Sequence, residues 1–150
     1  MTTVLLKHRI LVRAPLQRAF DYVSDLTRHP EWSEGKLKIE EISPGPIATG
    51  KEYASRGEFA VQKERLNTVR ITLYEPPHRF GFAANDPNAG EVVHVFTFSK
   101  QEQGVRIERE MTLSLSPLVA LVFRFLIYPF VGRPAMDKSL ALLKEKLESQ

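Results

Sequence analysis

The chain has 150 residues, of which 43% are hydrophobic and 26% charged, a composition that excludes a disordered chain and predicts one globular domain over residues 1–150. The absence of cysteine excludes disulfides, thiolate metal sites and cysteine nucleophiles, and is compatible with a cytoplasmic location. The formal net charge is +3, but the basic residues are interspersed with acids, which gives no support for nucleic-acid binding.

The N-terminal part predicts a strand followed by a helix. Residues 4–13 alternate between apolar and polar side chains, with Leu11 as the exception, which is the period of a half-buried strand and not the pattern of a signal peptide. Pro15 suits the first position of a helix, and the apolar residues of APLQRAFDYVSD then recur at three- and four-residue steps.

The stretch SDLTRHPEWS, residues 24–33, contains histidine, carboxylates and the single tryptophan, so a catalytic or metal site must be considered. Asp25 and His29 have the spacing of two metal ligands on one helix. However, Pro30 disfavours helical angles at His29, so we predict no metal site. We expect a short second helix, capped by Ser24 or Asp25, with charges on a solvated edge and the Trp32 ring buried.

The middle of the chain predicts six more strands. They are GKLKIEEI, KEYASRGEF, residues 61–74, RFGFAA, EVVHVFTFSK and VRIEREMTLSL. The loops between them are short, and QEQG before the last strand is a hairpin signal. Short loops leave no room for helical crossovers, so the sheet should be antiparallel.

The last third predicts a long helix that starts at Ser116–Pro117 and runs to the C-terminus. Pro129 and Pro134 should kink it. Its most apolar part, residues 118–132, is interrupted by Arg124 and falls short of the roughly 20 residues of a membrane span. We therefore predict a buried helix and no transmembrane segment.

Together the elements predict an α+β fold: a seven-stranded antiparallel sheet grips a long, kinked C-terminal helix, and two short helices lie between strands 1 and 2. The order of elements and the stretches APLQRAFDYVSDLTRHPEW, ITLYEPPHRFGF, HVFTFSKQEQGVRIEREMTL and LALLKEKLES resemble the helix-grip (SRPBCC) superfamily. That superfamily includes the birch-pollen allergen, the START-like lipid-transfer domains and the polyketide cyclase/dehydrase-like proteins. The resemblance implies a hydrophobic cavity between the sheet and the C-terminal helix, but no catalytic motif to carry over.

Two polar residues on the last strands are the main candidates for a site. Arg109 lies on the apolar face of its strand, where burying a charge without a partner is costly. We therefore expect it to be paired, to lie at a rim or to face a polar part of the cavity. The face on which His94 lies is ambiguous, because both alternating sets of residues in its strand are apolar. If it points inward, His94 and Arg109 form a polar spot in an oily cavity; the alternative is a hydrogen-bonded core histidine.

Three further strands carry weaker candidates. We expect His8 to be partly solvated near the sheet rim, and Tyr53 and Ser55 could orient a ligand oxygen. Arg65 and Asn67 are candidates of the same kind.

We predict that the protein binds or transports a small hydrophobic ligand, such as a lipid, polyketide or isoprenoid. The predicted lining residues are Trp32, Tyr53, Phe82, His94, Phe96, Arg109, Phe125 and Met136. One alternative is a cyclase or dehydratase in which His94 is a general base and Arg109 stabilises an enolate-like oxygen. Another is a protein-interaction or regulatory module.

No cofactor and no metal are predicted, because the sequence contains neither a nucleotide-binding glycine loop nor a nucleophile elbow. Transient contact with a membrane surface stays open, and so does the choice between monomer and homodimer.

Overall fold

A computed structural model of the chain describes residues 1–33, 36–59, 62–86 and 90–149. The strands within these ranges are β1 Thr2–Val12, β2 Leu37–Glu41, β3 Glu52–Phe59, β4 Gln62–Glu75, β5 Arg79–Asp86, β6 Gly90–Gln101 and β7 Gly104–Leu115. The helices are α1 Leu16–Ser24, a 3-10 helix Leu26–Glu31, α2 Pro117–Val122, a π-helical stretch Phe123–Gly132 and α3 Arg133–Glu148. The last three are continuous and form the C-terminal helix.

The strands form one antiparallel sheet in the order β1-β7-β6-β5-β4-β3-β2. Each strand from β2 to β7 therefore pairs with its neighbour in sequence, and β1 closes the row beside β7. The predicted fold class is confirmed. The predicted start of the fourth strand at Val61 lies outside the described residues, and β4 begins at Gln62.

The predicted QEQG hairpin joins β6 to β7, and its glycine is required by the geometry. Gly104 has φ of 152°, and a Cβ atom there would collide with the carbonyl oxygen of Val12 on β1. The turn thus passes so close to the end of β1 that no side chain fits.

The hydrophobic core lies between the inner face of the sheet, the two short helices and the C-terminal half of the long helix. Phe20 of α1 packs edge-on against Phe98 of β6, with ring centroids 5.3 Å apart. α3 contributes Leu140, Leu143 and Leu147, each at most 2% exposed. These contacts fix the end of the chain on the sheet and leave the first half of the C-terminal helix less constrained.

The first half of that helix is mostly exposed, which contradicts the predicted buried helix. Large apolar side chains between 40% and 75% exposed are Leu118, Val119, Leu121, Val122, Phe125, Leu126, Ile127, Phe130 and Val131. We call residues 118–131 the apolar segment. Only Ala120 is buried there, with Phe123 and Tyr128 packed partly against a small cluster on β1 and β7. Hydrophobic composition predicted burial here, but the sheet offers this segment too little surface to cover it.

The proline irregularity that the sequence predicts has a specific form. Around Pro129 the backbone is π-helical over residues 123–132, whereas Pro134 lies at the beginning of α3. Proline removes one backbone donor, and the wider π-helical turn accommodates that loss without ending the helix.

Candidate functional site

A cavity of about 120 Å³ lies between the 3-10 helix and the inner face of the sheet. Its lining residues are Leu26, His29, Leu37, Ile39, Ser55, Asn67, Val69, Phe82, Ala84, His94 and Arg109. None of them belongs to the C-terminal helix, so this cavity lies under the 3-10 helix and β2 and not where the resemblance implied. A larger depression of about 550 Å³ follows the outer side of α1, but no buried charged residue lines it.

Arg109 is the cationic residue of this cavity and is only 6% exposed. Strand alternation places it on the inner face of β7 between Ile107 and Met111. Its guanidinium carbon lies 5.4 Å from the ring centre of Phe96 and 5.9 Å from that of Trp32. Burial lowers the pKa of Arg109 to about 10, so the side chain stays cationic at neutral pH.

The hydrogen bonding of Arg109 is incomplete. Its Nη2 atom donates to Nδ1 of His94 over 3.1 Å. Its Nε atom is buried without an acceptor in the part of the chain that the structure describes, and no carboxylate there forms an ion pair with it. The indole Nε1 of Trp32 is a second buried donor without a described acceptor.

His94 is held as a neutral imidazole. Because a guanidinium can only donate, Nδ1 of His94 must accept, and the ring proton is on Nε2. The ring stacks on Phe82 with centroids 4.6 Å apart. Burial first, then the charge of Arg109, hold the pKa of His94 well below its usual range. The structure therefore brings together the polar spot that the sequence allowed.

His29 also lines the cavity, although the sequence had assigned only Trp32 of this stretch to a possible ligand contact. It is 8% exposed and stacks on Trp32 with ring centroids 4.1 Å apart. Burial, and secondarily the charge of Arg109, lower the pKa of His29 to about 3. The three-residue spacing of Leu26, His29 and Trp32 is visible in the sequence, but it marks one buried face only once the helix is known to be 3-10, in which side chains three residues apart eclipse.

The buried position of His29 also explains why it does not pair with Asp25. The carboxylate of Asp25 caps the 3-10 helix, accepting from the backbone N of Thr27 over 3.1 Å and from its hydroxyl over 2.6 Å. The Asp25 side chain thus caps the start of the 3-10 helix, whereas the His29 side chain lines the cavity. The expected cap and the burial of Trp32, which is 0% exposed, are both confirmed.

The other predicted lining residues divide into two groups. Phe82 lines the cavity, while Phe96 and Tyr53 are buried in the core around it, Phe96 against the guanidinium of Arg109. Phe125 is 61% exposed on the apolar segment, and Met136 is half-buried on α3; neither lines this cavity. Their predicted roles depended on a C-terminal helix that lies against the cavity.

Ser55 and Asn67, the weaker candidates, do line the cavity, and the side chain of Arg65 lies outside the described part. Ser55 and Asn67 face each other across β3 and β4. They add polar atoms to the wall that is formed by β3 and β4.

A third buried histidine lies beside Arg109, because His8 on β1 is paired with Arg109 in the sheet register. His8 is 7% exposed, so the expectation that it is partly solvated is wrong. Its Nδ1 lies 3.1 Å from a carboxylate oxygen of Asp137, and the hydroxyl of Tyr128 lies 2.6 Å from its Nε2. Both ring nitrogens are therefore satisfied, by two residues of the C-terminal helix.

The arrangement favours binding of negative charge over proton transfer. A cation with an unused donor lies against a largely apolar, partly open cavity, and such a cation can stabilise a carboxylate or an enolate-like oxygen. A general base works best with a pKa near the working pH. His29 and His94 both have lowered pKa values and are weak bases.

Comparison with known proteins identifies the wider group. The sequence pattern of the family described as polyketide cyclase/dehydrase and lipid transport matches residues 3–148. No curated protein matches the chain. The helix-grip resemblance predicted from the sequence is confirmed by this match and by the structures below.

Similar solved structures cover nearly the whole chain. A protein from Chromobacterium violaceum has a TM-score of 0.72 at 16% identity, covering 97% of this chain and 98% of that one. The di-domain ARO/CYC StfQ from the steffimycin biosynthetic pathway has a TM-score of 0.73 at 14% identity, covering 98% of this chain and 52% of that one. Ara h 8.0201 has a TM-score of 0.71 at 11% identity, covering 99% and 100%. At these identities the likeness concerns the fold alone.

Proposed function

We propose that this chain, which belongs to the polyketide cyclase/dehydrase and lipid transport family, binds a small ligand with an apolar body and an anionic or enolate-type oxygen. The oxygen would lie beside Arg109 and the apolar body against Phe82 and its neighbours. The observation that carries the proposal is the buried guanidinium of Arg109, which has no described carboxylate partner and an unused Nε donor.

The buried guanidinium of Arg109 costs folding free energy. A buried charge is strongly unfavourable unless it is paired, and a buried donor without an acceptor costs about 1–3 kcal/mol. A structural role would be served better by an apolar side chain of similar volume. An anionic ligand atom would supply both the missing charge and the missing acceptor, so ligand binding would recover free energy that folding has lost.

The volume of the cavity constrains the ligand. Pockets for drug-sized ligands measure about 300–1,000 Å³, whereas this one has about 120 Å³. The space therefore suits the polar end of a ligand and a short apolar body. A lipid-sized ligand would require the 3-10 helix, which packs on β2, to move away from the sheet.

A cyclase or dehydratase is the second candidate, because a cation beside a cavity could stabilise an enolate. In that case His94 would not be the base, since its Nδ1 accepts from Arg109 and its pKa is depressed. The structure favours the binding function because it offers charge stabilisation without a matched base.

The test uses Trp32, the chain's only tryptophan, as an intrinsic reporter near the guanidinium of Arg109. Short and medium straight-chain carboxylates and the matching alcohols would be titrated while tryptophan emission is recorded. We expect carboxylates to bind roughly tenfold or more tighter than alcohols, the effect of one hydrogen bond to a charged group. Arg109→Met should abolish that preference.

The control is Arg106→Met, since Arg106 lies on the same strand with an exposed side chain. It should keep the carboxylate preference. The thermal midpoint of Arg109→Met should be no lower than that of the wild type, which separates lost binding from lost folding. Equal affinity of the wild type for carboxylates and alcohols, or a preference that survives Arg109→Met, would overturn the proposal.

A further inference from the structure

The apolar segment, residues 118–131, exposes more hydrophobic surface than folding of the chain requires. Monomeric soluble proteins rarely expose a contiguous apolar patch of more than a few hundred Å² without a functional reason. Here Leu118 is 72% exposed and Phe130 75%, at opposite ends of the segment. The patch thus extends along the whole segment and requires a partner.

The distribution of these side chains around the helix limits what the partner can be. Phe125, Leu126 and Ile127 are consecutive and all exposed. In this π-helical stretch successive side chains point somewhat less than the α-helical 100° apart, so these three cover about half of the circumference. A second protein surface covers one stripe of a helix, whereas a lipid phase can surround most of it.

The charged residues next to the segment in the sequence are basic. From residue 111 to residue 136 the sequence contains no aspartate or glutamate, and its charged residues are Arg124 and Arg133. Arg124 is exposed within the segment, whereas Arg133, after Gly132, lies 4.0 Å from the carboxylate of Asp137. Exposed apolar side chains with an exposed arginine among them are complementary to a bilayer surface that carries anionic lipid headgroups.

The length of the segment favours lying on the membrane over crossing it. The whole helix from Pro117 to Glu148 is long and apolar enough to cross a bilayer by length and composition. However, its second half is committed to the protein core through Leu140, Leu143 and Leu147. The apolar segment itself has 14 residues and extends roughly 21 Å, less than the roughly 30 Å hydrocarbon core.

We propose that the apolar segment docks the protein on the surface of an anionic membrane. The segment inserts its phenylalanines and leucines at the boundary of headgroups and acyl chains, while Arg124 contacts lipid phosphates. This docking surface is separate from the Arg109 cavity, so the proposal stands independently of the ligand.

The experiment is co-sedimentation with vesicles of phosphatidylcholine alone or mixed with phosphatidylglycerol. We expect the wild type to bind the mixed vesicles. A triple variant with Leu118→Ser, Phe125→Ser and Phe130→Ser should bind at least about tenfold more weakly. Ile42→Ser is the matched control, because Ile42 is 55% exposed outside the segment, and it should bind like the wild type.

Two further variants sharpen the test. Arg124→Gln should weaken binding to the mixed vesicles roughly fivefold, the effect of one basic side chain near an anionic surface, and leave phosphatidylcholine binding unchanged. Phe130→Trp adds an exposed tryptophan whose emission should shift to the blue on vesicles. Trp32 is already buried and supplies a constant background.

The replaced side chains are all more than 60% exposed, so circular dichroism should show the triple variant folded. Wild-type protein that stays in the supernatant with both kinds of vesicle would overturn the proposal. Equal vesicle binding by the triple variant would overturn it as well. A wild-type dimer that the triple variant dissociates, without vesicle binding, would show that a second copy covers the segment instead.

Discussion

The two buried histidine centres of this protein lie side by side and differ in one respect, which is whether their polar atoms are satisfied. In the His8 centre, formed by His8, Tyr128 and Asp137, both ring nitrogens have partners. In the Arg109 centre, formed by His94 and Arg109, a cation lacks a described carboxylate and one donor lacks a described acceptor.

The register makes the comparison direct, because His8 and Arg109 face each other across β1 and β7. His8 and Arg109 are nearly equally buried, although β1 is an edge strand and β7 is not. The His8 centre ties the C-terminal helix to the sheet, and both nitrogens of its buried ring are satisfied, as expected of structure. The Arg109 centre keeps spare bonding capacity toward a cavity, as expected of a binding site.

The largest expected effect concerns Trp32, whose ring lies beside the guanidinium of Arg109. Trp32→Ala should lower the free energy of unfolding by about 3–5 kcal/mol, because the indole is fully buried. Urea denaturation followed by circular dichroism measures this change. Trp32→Phe, which keeps a ring in place, is the control and should cost much less.

A Trp32→Ala variant with an unchanged denaturation midpoint but no ligand binding would reverse this assignment. Trp32 would then belong to the binding site and not to the core. The distinction matters because Trp32 is the only residue of the SDLTRHPEWS stretch that the sequence assigned to both roles.

The next effect is pH-dependent and follows from the two histidines of the cavity. Their pKa values are lowered in the folded protein, to about 3 for His29, while the unfolded chain has the ordinary value near 6.5. Below pH 6.5 the unfolded state therefore binds protons that the folded state does not. Stability is therefore expected to fall as the pH falls below 6.5, with a slope that approaches about 1.4 kcal/mol per pH unit for each histidine.

Urea denaturation between pH 6.5 and pH 5 isolates this effect, because most carboxylates remain ionised there. His29→Gln should reduce the slope by the share of one histidine. His78→Gln is the control, because His78 is exposed, and it should leave the slope unchanged. A pH-independent wild type in this window would show that the cavity histidines are accessible to protons and would weaken the picture of a closed Arg109 centre.

The sequence predicted most of the fold and part of the site, and the reasons differ by residue. Arg109 could be placed on the inner face because only one of the two faces of its strand is apolar. His94 could not be placed, since both faces of β6 are apolar and only the pairing with Phe82 shows which face is the inner one. His29 needed the 3-10 geometry, which a helix prediction does not supply.

The exposure of the apolar segment could not be predicted for a different reason. Its composition is that of a core helix, and nothing local distinguishes a buried helix from an exposed one. Whether Leu118 or Phe130 is covered depends on how far the sheet extends beneath the helix, which is a property of the tertiary structure.

The smallest expected effect tests the His8 centre. Tyr128→Phe removes the hydroxyl that bonds to Nε2 of His8, and the loss of one such bond should cost about 0.5–1.5 kcal/mol. Tyr22→Phe is the matched control, because the Tyr22 hydroxyl donates to the exposed Glu31 over a longer 3.3 Å. It should cost less, since water can replace that partner.

The sign of the effect is what separates the two centres. Removing a polar group from the satisfied His8 centre should destabilise the protein, whereas Arg109→Met should not, because the cost of burying the charge exceeds the cost, about 1–3 kcal/mol, of the acceptor that it leaves unpaired on His94. Urea denaturation of both variants under one condition gives the comparison. If both lower the free energy of unfolding alike, Arg109 is a structural residue like His8, and the case for a ligand beside it fails.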